Sequence, residues 1–517
     1  MTRMKRLLLF CISLSLLMLS LFGTVAQDRN VFVYGHPVAF PNLDPSSGNS
    51  NENVVMGNVY ETLTFYNGPG SDEILSPKLA VSWEASEDSL TWTFNLREGV
   101  TFHDGAALNA EAVKKALDRT IAIGEGSAWI FWMIDSIEAM DDLVVQFNLN
   151  TPAPLDLVLS AGYAAWIMSP NAADQDNAWF NDGKAAGTGP YKIASNEPGQ
   201  RMVLEAYPDY WGGWTEGQFD TIVFEIVEDP TVLEQMIRSG DADFTYSLPF
   251  DNYGPLAEAS GVSVVVTPSF QNLLILLNTI KEPTNSKLVR QALSYSFPYA
   301  DVVTNLYAGM GTQARGPIPA NMWGHGAGLL QYSHDLDKAR ELLAEAGYPD
   351  GGFSLVYTHV ASDLDEQQVG ELWRASLAEI GVDLEIRGLA WEAQWDLAIN
   401  DPASAQEAFG FYWWPDYITP NSWLTGMFVS EDEPFFNLSY YSNPDFDNLV
   451  AGASTMSGTD RIAAEAMYVA AQELLLEDAA AIYVVDLPDI HVIRDDVSGY
   501  VNNPGYPHVV FFYDLTR

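Results

Sequence analysis

Apolar and polar positions alternate over LTWTFNLREGVTF (residues 90–102) and again over LVVQFNL (143–149), the period of half-buried antiparallel strands. Between them Asn109-Ala110-Glu111 begins a helix that carries Val113, Ala116 and Leu117 on one side. This block predicts a small α+β unit. Ahead of it, Val31–Tyr34 reads as a short strand that Pro41-Asn42-Leu43-Asp44-Pro45 turns into a polar loop, Ser46 to Asn53. Beyond Gly187 the texture changes. Met202–Glu205 and Thr221–Val227 read as strands, Pro230–Ser239 as a helix stopped at Gly240, and Phe244–Ser247 as another strand, a crossover unit on a mixed sheet.

A second lobe of the same kind follows. Asp335 caps a helix with Leu336, Ala339, Leu343 and Ala346 on one face, and Gly347 supplies its left-handed stop before a strand at Phe353–Tyr357. Val369, Leu372, Trp373, Ser376, Leu377 and Ile380 then recur at helical spacing up to Gly381, and Val382, Leu384 and Ile386 alternate as a strand. No repeat, low-complexity tract or Pro/Ser linker separates the blocks. Two α/β lobes on an uninterrupted chain require strands that cross between them, and Asn272–Asn278 and Ile482–Leu487 are the candidates. A cleft between hinged lobes is the consequence.

The first 26 residues differ from the rest. Arg3, Lys5 and Arg6 lead into an apolar run, Leu7 to Phe22, and then Gly23-Thr24-Val25-Ala26, the pattern of a secretory signal peptide cleaved after Ala26. An uncleaved anchor is the alternative, and the small-residue site favours cleavage and export. Cys11 follows Phe10, where a lipoprotein signal needs a small residue, so lipid anchoring through it is not expected. Cleavage takes the net charge from -45 to -48 and leaves no cysteine, so core packing alone must hold the mature chain. So acidic a surface excludes nucleic acid as a natural partner. With 48% hydrophobic residues among 517, the chain can bury a large core and is no disordered segment. No other stretch is long and apolar enough to span a membrane.

Signatures of catalysis are missing. The seven histidines (36, 103, 325, 334, 359, 491 and 508) form no HExxH, no close pair and have no cysteine partner, so a zinc site is not indicated, while a metal held by scattered carboxylates stays open without a specific signal. There is no GxSxG, no Walker loop and no GxGxxG after a strand. With 69 acidic residues, a catalytic carboxylate pair has no specific signal. Aromatics do stand out in loop-like contexts: Trp129 and Trp132, Trp391 and Trp395, and Phe411-Tyr412-Trp413-Trp414-Pro415-Asp416-Tyr417, broken by Pro415 and Pro420. They offer stacking faces for a ligand, or they are core. Asp416 beside two indoles needs a cation or hydrogen-bond donors, from a ligand, a turn cap or an internal salt bridge.

Several segments together resemble the extracytoplasmic solute-binding proteins of ABC importers, in the family that takes up oligopeptides, dipeptides, nickel and some oligosaccharides. They are Asn42-Leu43-Asp44-Pro45, Tyr60-Glu61-Thr62-Leu63, residues 90–113, GTGPYK (187–192), YPDYWGG (207–213), VRQALSY (289–295), residues 335–352, WWPDY (413–417) and NPDFDNLV (443–450). The resemblance implies an α/β, two-lobed periplasmic-binding-protein fold of the cluster C type with hinge strands between lobes. Its first lobe would take residues 27–56, 186–270 and 486–517, an inserted α+β domain 57–185, and the second lobe 271–485.

It also implies a protein without catalysis that captures a solute between its lobes and delivers it to permease and ATPase subunits; no cofactor or metal and a monomeric state are expected. In peptide binders of this family the aspartate matched by Asp416 receives the ligand's α-ammonium group. Trp413, Trp414 and Tyr417 surround it, Tyr246 matches a first-lobe contact, and Trp395 and Asn49 are further carry-overs. This sequence departs from the family in Tyr412 and Pro415, and in having no Lys or Arg from Gly388 to Asp460 to meet a peptide carboxylate. The expected ligand is a peptide or another amine-bearing solute. An oligosaccharide stacked on the indoles is the alternative, and a secreted hydrolase the remote one.

Overall fold

The computed structural model describes residues 30–517 apart from Pro69, Asp72 and Glu433. The signal-peptide reading of residues 1–26 lies outside the described residues. The early alternating stretches form a four-stranded antiparallel sheet in the order Ala80–Ala85, Thr91–Leu96, Val144–Leu149, Ile134–Asp141. Trp92, Phe94 and Leu96 turn inward while Asn95 faces solvent, as a two-residue period requires. Helix Ala110–Ile123 packs on the sheet through the buried Val113, Ala116 and Leu117. Asn109 Oδ1 accepts from the Ala112 amide at 2.9 Å to cap its start, and Gly124 ends it at φ 65°.

Most of the remaining chain is organised by an 11-stranded mixed sheet. From one edge its order is Asp383–Leu389, Ser354–Val360, Ala408–Trp413, Val262–Leu277, Ala481–Arg494, Phe244–Tyr246, Val31–His36, Thr221–Ile226, Arg201–Ala206 and Tyr191–Glu197, with Thr312–Gln313 beside Ala481–Arg494. Two of these strands are far longer than the others, and they contain the segments read as crossing the lobes, Ile482–Leu487 in full and Asn272–Asn278 up to Leu277. They pair antiparallel, but at their midpoint Pro268 faces Pro488 and the register slips before Asn272 meets Asp486. Proline has no amide hydrogen, so two facing prolines interrupt the ladder.

On one side of that break Ala481–Arg494 adjoins Phe244–Tyr246; on the other, Val262–Leu277 adjoins Ala408–Trp413. The sheet is thus two half-sheets that share two long strands, with the weakest point of the shared pair between them. Leu273 to Leu277 are almost wholly buried, which anchors the second half-sheet in its core.

The quoted sequence segments hold this frame together. Arg119 grips the buried Asp44 with two parallel bonds of 2.7 and 2.6 Å, tying the first loop to the helix Ala110–Ile123. Glu61 accepts from Tyr210 and Trp211 at 2.9 and 2.8 Å. A Cβ on Gly187 would stand 2.0 Å from the Val59 carbonyl oxygen, so that close approach admits only glycine. Arg290 donates to the carbonyls of Thr284, Asn285 and Asp478, which pins its helix, Lys287–Ser296, to the end of helix Arg461–Asp478.

Candidate functional site

The strand Ala408–Trp413 carries the aromatic run into the sheet, which corrects the loop reading of residues 411–413. Leu274 faces Phe411 and Asn272 faces Trp413 across the ladder. The pleat puts Phe411 and Trp413 on one face, and both are 5% exposed. Trp414 lies just past the strand's end and is 45% exposed.

Trp414 stands between two cavities. The first, about 390 Å³, is aromatic: Trp391, Phe411, Tyr412, Trp413, Trp414 and Phe436 line it, with Val360 and the carboxyl groups of Asp416 and Glu366. The second, about 330 Å³, lies over the proline break. Its walls are Ser269, Phe270, Gln271, Pro488 and Asp489 of the long strands, Asn49 to Asn51 with Asn53 and Val54 of the first loop, and Tyr163, Trp414, Pro415, Pro504, Pro507 and His508. Neither wall carries a lysine or an arginine.

Asp416 has an unusual environment. Its Oδ1 lies 3.4 Å from Ser127 Oγ, and among the described residues no Lys, Arg or His pairs with it. Burial pushes its carboxyl up to about 7, against the opposing pull of the Ser127 hydrogen bond. Glu366 is lifted to about 7 by the same cause, although the Val360 amide donates to it at 2.8 Å. An aromatic lining and two carboxyls without a cation partner among the described residues give this cavity a chemistry that favours a positive group.

The other anticipated residues are placed less uniformly. Asn49 lines the hinge cavity. Trp395 follows Trp391 on the helix Trp391–Asn400 and meets Phe435 and Phe436 edge-on, lining neither cavity. Tyr417 is 2% exposed, accepts from Asn421 at 3.0 Å and packs edge-on to Trp129, so it sits in the core. Tyr246 is also buried. His508 stacks on it with ring centroids 4.0 Å apart, and it is His508 that lines the cavity.

Sequence reasoning passed over Glu366, Tyr163, His508 and the pair Asp489 and His491. The last pair had a signal, because two polar residues at i and i+2 within a strand share a face.

A family model described as bacterial extracellular solute-binding proteins, family 5 Middle, matches residues 75–434. The chain belongs to this family. The family 5 match spans the hinge strand Val262–Leu277 and the segment that carries Asp416. Among similar proteins, the Escherichia coli (strain K12) protein named "Probable D,D-dipeptide-binding periplasmic protein" is 30% identical over 497 residues, 93% of each chain. The solved structure of HbpA2 from Haemophilus parasuis superposes with a TM-score of 0.83 at 25% identity, covering 94% of this chain and 99% of that one.

That of DppA from Helicobacter pylori, an ABC transporter-associated periplasmic binding protein in complex with the peptide STSA, gives 0.76 at 26% identity, over 94% and 98% of the two chains. The fold is that of the two-lobed periplasmic binding proteins. The homologues are binding proteins rather than enzymes, and no helix among the described residues is long and apolar enough to cross a membrane.

Proposed function

We propose that this family 5 protein captures a peptide, or a similar solute with a primary ammonium group, between its lobes and delivers it unaltered to an ABC permease with its ATPase subunits. The observation that carries this reading is Asp416, a carboxyl on a cavity wall with no internal cation and held up at about 7 by burial. An incoming ammonium supplies the missing charge, and its ion pair gains strength in a site partly shielded from water. The aromatic cavity beside it takes the apolar side chain next to that ammonium. The E. coli relative, named a probable D,D-dipeptide-binding protein, and the H. pylori relative, solved with the peptide STSA, support the same class.

Closure about the proline break between Val262–Leu277 and Ala481–Arg494 lets one ligand touch both half-sheets and favour the closed state. The protein acts as a monomer outside the cytoplasm, released from its signal peptide after Ala26.

Native mass spectrometry of the purified mature protein, followed by calorimetry with the captured species, tests the reading. Peptide masses that are lost in Asp416→Asn support it. Retention of the same peptides by Asp416→Asn overturns the ammonium assignment. An oligosaccharide is the second reading, favoured by the exposed indoles of Trp414 and Trp391. It predicts hexose-spaced masses whose retention fails in Trp414→Ala and survives in Asp416→Asn.

A further inference from the structure

The hinge strand Ala481–Arg494 and the C-terminal segment bring together three side chains that the solute-binding reading does not use. Asp489 and His491 alternate onto one face of the strand, and His508 folds back over them, so that one ligand atom from each lies within 4.8 Å of the others. Asp489 Oδ1 is 3.2 Å from His491 Nε2 and 3.5 Å from His508 Nδ1. Four donors around a zinc ion at ordinary bond lengths are separated by about 3.4 Å, so both spacings are those of a tetrahedral edge. Among the described residues neither nitrogen makes a well-directed hydrogen bond, their Asp489 contacts notwithstanding: His491 Nε2 and His508 Nδ1 are buried atoms, and the His491 side chain is wholly inaccessible. A buried polar atom left so is unfavourable unless something else satisfies it.

The supporting residues have the form expected around a metal. Tyr500 Oη stands 3.0 Å from His491 Nδ1 and fixes which ring nitrogen faces inward. Asn502 Nδ2 donates to Asp489 Oδ2 at 2.9 Å, leaving Oδ1 for another partner.

We infer that Asp489, His491 and His508 form a three-ligand site for a borderline divalent cation such as Zn²⁺, with its fourth position open to the hinge cavity. Two imidazoles and one carboxylate suit Zn²⁺ over Mg²⁺ or Ca²⁺, which prefer all-oxygen shells. Asp489 and His508 both line that cavity, so a solute donor can reach the fourth position. The site carries a net positive charge once filled, in a cleft whose cavity walls have no lysine or arginine. It therefore supplies a partner for a solute carboxylate while Asp416 holds the ammonium, a role that rests on the proposed function, whereas the metal site itself does not.

The test uses the mature protein stripped with chelator and titrated with Zn²⁺ alone, in excess Mg²⁺ to occupy surface carboxylates. One equivalent of Zn²⁺ should bind per chain. Affinity should fall at least about tenfold in His491→Gln and in the partly exposed His508→Asn. Co²⁺ in place of Zn²⁺ should give the visible absorption of a tetrahedral site in the parent and lose it in both variants. His508→Asn keeps a residue tolerant of the positive φ there, which guards against misfolding, and circular dichroism checks both variants.

Absence of a stoichiometric site, or equal Zn²⁺ affinity in parent and folded variants, overturns the proposal. Asp416→Asn should leave Zn²⁺ binding unchanged, and loss of the metal in that variant would also overturn the placement. Failure of the ammonium reading thus shows in solute binding, and failure of this one in metal binding.

Discussion

The two cavities that meet at Trp414 are made from opposite materials. The aromatic one belongs to a single half-sheet, where the strand Ala408–Trp413 and the helix Trp391–Asn400 pack ring on ring, and Trp391 and Phe411 stack with planes 5° apart. Its shape is set by a close-packed core, although the wall residue Asp416 also meets Ser127 from outside that half-sheet. The hinge cavity is assembled from remote parts of the chain around the proline break, and it is lined by amides, hydroxyls and prolines. Its shape follows the angle between the half-sheets. On the proposed function the difference implies a division of labour: one cavity would be a socket for part of a solute, and the other would change on closure over it.

The sharpest way to break this comparison is to remove the charge from the socket. Asp416→Asn should lower affinity for an ammonium-bearing solute by at least about a hundredfold, the usual scale for losing one side of a partly buried charged pair. Calorimetry on parent and variant reads it directly, and equal affinities would show that the socket does not recognise charge. A pH series on the parent sharpens the same point. Because the free carboxyl titrates at about 7 and only its ionised form pairs with an ammonium, affinity should fall about tenfold per unit as the pH drops below that value. Above about 8 it should fall again as the solute's own α-amino group loses its proton.

The partition comes next in size. Trp414→Ala merges the two cavities and removes a half-exposed indole, so solute affinity should drop by about tenfold, within the range for losing one aromatic contact. Trp413→Ala tests something else. Trp413 is buried against Phe411 and Phe436, so its loss should destabilise the protein by about 3 kcal/mol, measured by urea unfolding, whatever it does to binding.

Much of the frame was legible in the sequence because it is set by local rules. Asn109 and Asp335 cap the helices they were expected to start, and Gly240 closes its helix at φ 82°. The segments that carry the family resemblance proved to be structural clamps: Asp44 with Arg119, Glu61 with Tyr210, and Arg290 with three carbonyls. Such clamps identify a fold without naming a ligand. The site was legible only in part. Residues 408–413, AFGFYW, are apolar on both faces, so periodicity could not say that Trp413 turns inward while Trp414 escapes the strand. The grouping of His508 with Asp489 and His491 depends on a chain reversal that no local pattern encodes.

A stability measurement on the solute-free protein distinguishes a socket built for binding from one built for stability. A carboxyl held at about 7 in the folded state and near its ordinary value when unfolded binds its proton more tightly in the folded state. Stability from this group is complete at pH below about 4, declines as the pH rises towards 7, and stays reduced above it. Asp416→Asn removes that decline. The variant should match the parent at pH 4 and exceed it at pH 8 by about 2 kcal/mol, allowing for the partial exposure of the group. Glu366 and Asp486, also lifted to about 7 by burial, remain in both proteins and cancel in the difference. Urea unfolding of parent and variant at the two pH values measures it. A variant that is less stable at pH 8 would mean that Asp416 is an internal structural partner, and the socket's charge would then have no claim to be kept for a solute.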